Sequence, residues 1–261
     1  MQKIRKAVIP AAGFGTRVLP ASKAIPKEMF PVGNKPAIQH LVEEAANSGI
    51  TDILIITSRG KEAIENHFDR SPELEEFLIK KNKIDELNEV KKISDLANMY
   101  FIRQEEQKGL GHAAYLSKNF VGDEPFAVIY GDDVILSDTP VTSKMISLFY
   151  EFNKCVVGVQ KVTEEEISKY SSLKLQEIRN GIFKCSDMIE KPSKDQIMSL
   201  YSVAGRCILT PDVFEILEHT EKGYGGEIQL TDAMKKIAMA KEMIAFAFEG
   251  KRIDIGAVQT I

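Results

Sequence analysis

An α/β fold, with a mostly parallel central sheet flanked by helices, is predicted by three observations on the sequence. Short apolar, β-branched runs recur along it, helix-periodic segments alternate with most of them, and the first run ends in a loop carrying two glycines. Continuously apolar strands joined by crossover helices imply a sheet covered on both faces, with ligands at the carboxyl ends of its strands. At 261 residues, 44% of them hydrophobic, the chain can bury a sizeable core.

The elements follow in order. Residues 6–10 read as the first strand, and 36–48 as a helix with Ile38, Leu41, Val42 and Ala45 on one face. A second strand covers 52–57. The long, charged segment 61–97 is helix-periodic, with Leu74, Phe77, Leu78, Leu87, Val90, Ile93 and Leu96 as its apolar stripe. Its mixed charges read as a solvated face whose rim is a candidate subunit contact. Strands at 99–103, 126–130 and 155–160 continue the pattern, with a helix opening at Gly109-Leu110-Gly111-His112-Ala113-Ala114. Beyond about residue 159, strand-like pieces (182–189, 203–209, 244–248) mix with helices (211–217, 229–240) and read as an extension of the same domain. No linker or internal repeat interrupts residues 1–261.

Composition excludes several classes. A net charge of −4 gives no global attraction to nucleic acid or anionic lipid, so phosphate binding must be local. No segment approaches the roughly 18 apolar residues of a membrane span, and the stretch after Lys3, Arg5 and Lys6 is too short for a signal peptide. Cys155, Cys185 and Cys207 sit apart in apolar runs and read as buried thiols, which favours a reducing cytoplasm.

The first strand opens into Pro10-Ala11-Ala12-Gly13-Phe14-Gly15-Thr16-Arg17, followed by Pro26-Lys27-Glu28-Met29. Glycines let the backbone approach a ligand closely, and Arg17 and Lys27 add charge-assisted donors for phosphate oxygens. A Gly-x-Gly turn alone is common in α/β proteins. Val18 stands where a dinucleotide fingerprint needs its third glycine, and no Gly-Lys-Ser/Thr follows, so neither that motif nor a P-loop is present.

After the strand at 126–130 come Asp132 and Asp133. Carboxylates there suit Mg²⁺, with Asp132 the first ligand, although an Asp-Asp after glycine also caps turns. Asp254, beside Gly256, is a candidate to complete the site. Gln104 offers an amide to a nucleobase edge, and Gly109 lets a base lie flat on the backbone. His112, in the first turn of its helix, reads as structural rather than catalytic. Glu190 and Lys191 precede Pro192; they either meet a sugar hydroxyl and a phosphate or form a surface ion pair.

Read together, these motifs resemble the sugar-nucleotide pyrophosphorylase superfamily and, within it, the bacterial UTP-glucose-1-phosphate uridylyltransferases. Further motifs carry the likeness: Asn66-His67-Phe68-Asp69, Lys108-Gly109-Leu110-Gly111-His112-Ala113, Glu190-Lys191-Pro192 and Gly226-Glu227-Ile228-Gln229-Leu230-Thr231-Asp232-Ala233. The resemblance implies a Rossmann-like nucleotidyltransferase fold of the glycosyltransferase-A kind, with residues 1–158 approximately on the nucleotide side and 159–261 on the sugar-phosphate side. It implies that Ala11, Ala12, Gly13, Glu28, Gln104 and Gly109 surround uridine, while Gly15, Thr16, Arg17 and Lys27 surround the triphosphate. It places glucose 1-phosphate against Glu190 and Lys191, and Mg²⁺ between Asp132 and Asp254. Arg17, Lys27, Asp132 and Lys191 then carry UMP transfer from UTP, in the cytoplasm, for cell-surface polysaccharide. The expected assembly is a homo-oligomer, a dimer or tetramer.

Two departures stand out. The family usually has Tyr-Gly and two aliphatic residues where this chain reads Tyr170-Ser171-Ser172-Leu173, so Ser171 adds a side chain beside the sugar; either the pocket is reshaped or the backbone differs. The Ala257 to Ile261 ending also departs from the family's usual Leu-Gly continuation, after which relatives carry a further helix, and this leaves a weakened metal site and an altered oligomer open. A feebly active regulatory paralogue, or a relative using another sugar 1-phosphate, is the alternative. An NAD-dependent oxidoreductase is disfavoured, because Thr57-Ser58-Arg59 brings no acidic residue after the second strand.

Overall fold

The computed structural model describes residues 2–256. Strand β1 (Lys6–Pro10) runs into three consecutive 3-10 turns and the small hairpin β2 (Pro31–Val32) and β3 (Lys35–Pro36). Helix α1 (Ala37–Asn47), strand β4 (Asp52–Thr57), helices α2 (Glu62–Phe68), α3 (Pro72–Lys80) and α4 (Ile84–Ser94), and strand β5 (Asn98–Arg103) follow. Then come α5 (Leu110–Tyr115), α6 (Lys118–Val121), β6 (Phe126–Ile129), β7 (Asp133–Leu136), α7 (Val141–Phe152) and β8 (Val156–Lys161). The remainder is β9 (Ser171–Arg179), β10 (Ile182–Glu190), β11 (Tyr201–Leu209), α8 (Asp212–Glu218), α9 (Leu230–Lys241), β12 (Met243–Ala247) and β13 (Lys251–Asp254).

Nine strands form one sheet in the order β5-β4-β1-β6-β11-β8-β12-β10-β9. The four on the β5 side are parallel, as their apolar character predicts. On the other side β11 lies antiparallel between β6 and β8, and β10 pairs antiparallel with both β12 and β9, so that half is mixed. Because β11 enters from late in the chain, and residue 158 falls within β8, the early and late parts share one sheet.

Side chains alternate across each buried strand and feed two cores. In β1, Ala7 and Ile9 face one core and Val8 the other; in β4, Ile53 and Ile55 oppose Leu54 and Ile56. The first core packs α1, α2 and α7, with Leu41, Ile64 and Met145; the second packs α5, α8 and α9, with Ala113, Phe214 and Ile237. Burial on both faces is why these strands read as unbroken apolar runs.

The short β2, β3, α6 and β7 escape the sequence reading, and so do three longer or site-bearing elements, α7, β9 and β13. Helix α7 begins at Pro140-Val141-Thr142, with no side-chain cap, and β9 alternates only as far as Leu173 and Leu175 before turning exposed. The Asn180-Gly181 turn, with Gly181 at φ 72°, is the local signal that β9 and β10 form a hairpin. Strand β13 pairs with β7, Asp254 opposite Asp133, outside the main sheet. That pairing brings a residue from the end of the chain to the metal-candidate loop. The Ala257 to Ile261 ending lies outside the described residues.

Candidate active site

At the carboxyl ends of β1, β5 and β6 lies a cavity of about 470 Å³. Ala12, Gly13, Arg17, Lys27, Glu28, Gln104, Gly109, Asp132, Ser171, Glu190, Lys191 and Asp254 all line it, joined by Tyr130, Arg252 and Thr231. Residues far apart in sequence thus meet around one cavity. Ala11, Gly15 and Thr16, expected at the nucleotide, are not among the residues that line it. The Ala11 N–H is spent on the Ile56 carbonyl at 2.8 Å and its own carbonyl on Lys61 Nζ at 2.5 Å. Gly15, left-handed at φ 69°, turns its carbonyl to Val18 N–H and the Ser22 hydroxyl. These residues shape the loop that carries Arg17.

A charged cluster occupies the middle of the cavity. Lys27 starts a short 3-10 turn, is largely buried, and sets Nζ 2.7 Å from Asp132 Oδ2. The exposed Arg17 guanidinium lies 3.8 Å from the same oxygen and 3.7 Å from Asp254 Oδ2. Asp254 is steadied by the Gly256 N–H, which donates to its Oδ1 at 2.8 Å. Burial pushes the Asp132 carboxyl up, but Lys27 and Arg17 outweigh it and hold the group below the usual carboxylate range.

Two carboxylates sharing one cation are a donor set that a hard divalent ion also suits, and Arg17 stands there as a cation both can reach. Among the described residues no group of three or more His, Cys, Asp or Glu side chains gathers in metal-binding geometry. An ion held here therefore takes its remaining ligands from substrate and water.

Asp133 serves a different purpose. Its carboxylate is buried and accepts a bidentate fork from Arg252 at 2.5 and 2.7 Å, and that guanidinium lies 4.8 Å over the Tyr170 ring. The pair locks β13 to the metal-candidate loop and so sets Asp254 facing Asp132. Glu28 is likewise not free: both its oxygens accept from Lys61 Nζ, at 2.8 and 2.9 Å, in a buried pair beneath the loop. Burial pushes the Glu28 carboxyl up and the Lys61 ammonium down, with their mutual attraction opposing both. Lys61 carries no sequence signal; a lone lysine after Arg59-Gly60 reads as surface.

At the sugar-expected end, Glu190 and Lys191 diverge rather than pair. Lys191 adopts a left-handed φ of 46°, which sends its ammonium to within 4.5 Å of the Tyr224 ring centroid. Glu190 accepts from the Thr231 hydroxyl at 2.9 Å, and burial pushes its carboxyl up. Tyr130 borders the cavity, and its buried hydroxyl has no hydrogen-bond partner among the described residues.

The Ser171 hydroxyl accepts from Val203 N–H at 3.0 Å, and its own N–H donates to the Ser202 hydroxyl at 3.3 Å. The added side chain thus stitches β9 to β11. Ser172 extends the stitching, accepting from Met198 N–H and donating to the Ser199 carbonyl.

A model of the nucleotidyl transferase family matches residues 6–261. The chain belongs to the nucleotidyl transferase family. Among relatives in that family, the UTP–glucose-1-phosphate uridylyltransferase 2 of Staphylococcus saprophyticus is 48% identical over 256 residues, covering 98% of this chain and 89% of its own. The UTP–glucose-1-phosphate uridylyltransferase of Bacillus subtilis is 47% identical over 256 residues, covering 98% and 88%. A crystal structure of UDP-glucose pyrophosphorylase complexed with UDP-glucose superposes with a TM-score of 0.89 at 41% identity, covering 97% of this chain and 94% of that one. The α/β architecture, with its central sheet between helix layers, is that of this nucleotidyl transferase structure.

Proposed function

We propose that this nucleotidyltransferase moves UMP from UTP to glucose 1-phosphate, forming UDP-glucose and pyrophosphate. The observation that carries the reading is that one cavity joins three chemically distinct ends. Gln104 and Gly109 offer a base site, Glu190, Lys191 and Ser171 a sugar-phosphate site, and the Arg17, Lys27, Asp132 and Asp254 cluster lies among them. The names of the bacterial relatives support both the nucleotide and the sugar.

In this reading a phosphate oxygen of glucose 1-phosphate attacks the α-phosphorus of UTP in line, forming the new P–O bond. The bond from that phosphorus to the α,β-bridging oxygen breaks, and its electron pair leaves with pyrophosphate. The nucleophile is already anionic, so no general base is required. Lys27 and Arg17 screen the repulsion between two polyanions and meet charge growing on the leaving group, while Lys191 holds the sugar phosphate. Asp132 and Asp254 would hold Mg²⁺, which when bound neutralises phosphate charge.

The buried, hydrogen-bonded Ser171 hydroxyl supports a preformed sugar wall rather than a loosened one. A cytoplasmic homo-oligomer supplying UDP-glucose for cell-surface polysaccharide completes the proposal. The test is pyrophosphate release across a matrix of nucleoside triphosphates and sugar 1-phosphates, with and without Mg²⁺. Release greatest with UTP and glucose 1-phosphate, and dependent on Mg²⁺, is expected; no release in any combination favours a regulatory paralogue.

A further inference from the structure

Gln104 follows β5 directly, with its backbone N–H on the Thr57 carbonyl at 2.8 Å, and its side chain is buried at the base end of the cavity. Its Nε2 lies 3.2 Å from the Gly109 carbonyl oxygen and 2.8 Å from His112 Nδ1. A carbonyl can only accept, so the nitrogen end of the amide belongs beside Gly109; the flipped amide would set two carbonyl oxygens against each other. With the nitrogen so placed, Nδ1 of His112 must accept as well, and the neutral ring carries its proton on Nε2. Both amide hydrogens are then consumed.

We propose that His112 is a positioning residue for base selection. Together with the Gly109 carbonyl it fixes the Gln104 amide so that only the carbonyl oxygen is left for the base, which selects pyrimidines bearing a ring N–H over cytosine. Uracil and thymine offer N3–H to that oxygen, whereas cytosine presents a lone pair at the same ring position and meets an unpaired, repelling acceptor. The inference rests on the proposed placement of the base beside Gln104 and Gly109.

The framework holding this lock is stiff. Gly109 has φ 101°, and a Cβ there would stand 2.7 Å from the Ile228 carbonyl oxygen. The Gly111 N–H donates to that carbonyl at 2.8 Å, and Ile228 N–H donates to the Lys108 carbonyl at 2.8 Å, pinning the start of α5 to the segment before α9. The charged groups bearing on His112 are Lys108 and Glu106, themselves paired at 2.9 Å, with Lys222 acting on Glu106. Burial and Lys108 together hold the imidazole below its ordinary range, which keeps the Nδ1 lone pair available at neutral pH.

The test compares kcat/KM for UTP and CTP, with glucose 1-phosphate and Mg²⁺, in the native protein, His112→Ala and His112→Asn. Asparagine sets an acceptor oxygen close to the place of Nδ1. His112→Ala is expected to narrow the UTP-to-CTP ratio about tenfold or more, mainly through KM for UTP, with kcat and KM for glucose 1-phosphate little changed. His112→Asn is expected to restore most of the ratio. An unchanged ratio in folded His112→Ala, an equal loss with both nucleotides, or an Asn variant no better than Ala overturns the proposal. If His112→Ala does not fold, His112→Leu keeps bulk without an acceptor and takes its place. If the native protein releases no pyrophosphate with UTP, the proposed function fails; calorimetric binding of UTP and CTP to the same variants then decides. A native preference for UTP lost in His112→Ala upholds the positioning role, and no native preference overturns it.

Discussion

Lys27 is nearly enclosed, and its ammonium makes a 2.7 Å contact with Asp132 in the middle of the cavity. A buried cation there does more for a phosphoryl transition state than a solvated one, because little water competes with it. Lys27→Ala should therefore lower kcat by on the order of 10², while a thermal melt shows a far smaller change. Near-native turnover in the folded variant would remove Lys27 from the chemistry. Arg17, Lys27 and Asp132 were legible as candidates only in combination, since a Gly-x-Gly turn or an Asp-Asp after a strand is common by itself; the structure brings all three to one cavity. Lys61 and Arg252 were not legible. Each is defined by a carboxylate distant in sequence, Glu28 and Asp133 respectively, and neither stands in a pattern of its own.

Among the elements, β11 holds the least expected residue. Arg206 is almost wholly buried, forks onto Glu44 of α1 at 2.6 and 3.0 Å, and donates to the Asp133 carbonyl at 2.9 Å. Glu44 also accepts from the Thr142 hydroxyl of α7. Burial pushes the Glu44 carboxyl up, yet Arg206 and Thr142 hold it below its ordinary range. One ion pair thus ties a central strand to two helices and to the loop of Asp132. Arg206→Ala strands a buried carboxylate and should cost about 3–5 kcal/mol in denaturant unfolding, whereas Glu44→Gln with Arg206→Met should cost much less. Equal losses in the two proteins would refute the stranded-charge account. The strands buried on both faces, such as β1, β4 and β6, were readable as apolar runs; the partly exposed β9 and β13, and α7, opened by β-branched residues without a cap, were not.

For the whole molecule, acid should lower stability partly through an ion pair at the edge opposite the cavity. Arg5 and Lys6, at the entry to β1, hydrogen-bond Glu124 before β6 and hold its carboxyl at about 2, against an ordinary 4.5. A depressed carboxyl contributes stability that is full above its unfolded value and is lost as pH falls through the folded one. Native stability should thus fall between pH 4.5 and about 2, and more steeply than in Glu124→Gln, as urea midpoints across that window would register. Parallel slopes would dismiss the pair. Hydrophobic period, turn residues and short motifs are local, and so the sequence by itself determined the α/β class, most strands and helices, and many of the residues that line the one cavity of the proposed site. Only the tertiary structure decided that β11 runs between β6 and β8, that β13 carries Asp254 to Asp132, that the Ser171 hydroxyl is spent on Val203, and which way the Gln104 amide faces. The first three depend on distances between segments remote along the chain and the last on side-chain geometry within one loop, and no local periodicity encodes either.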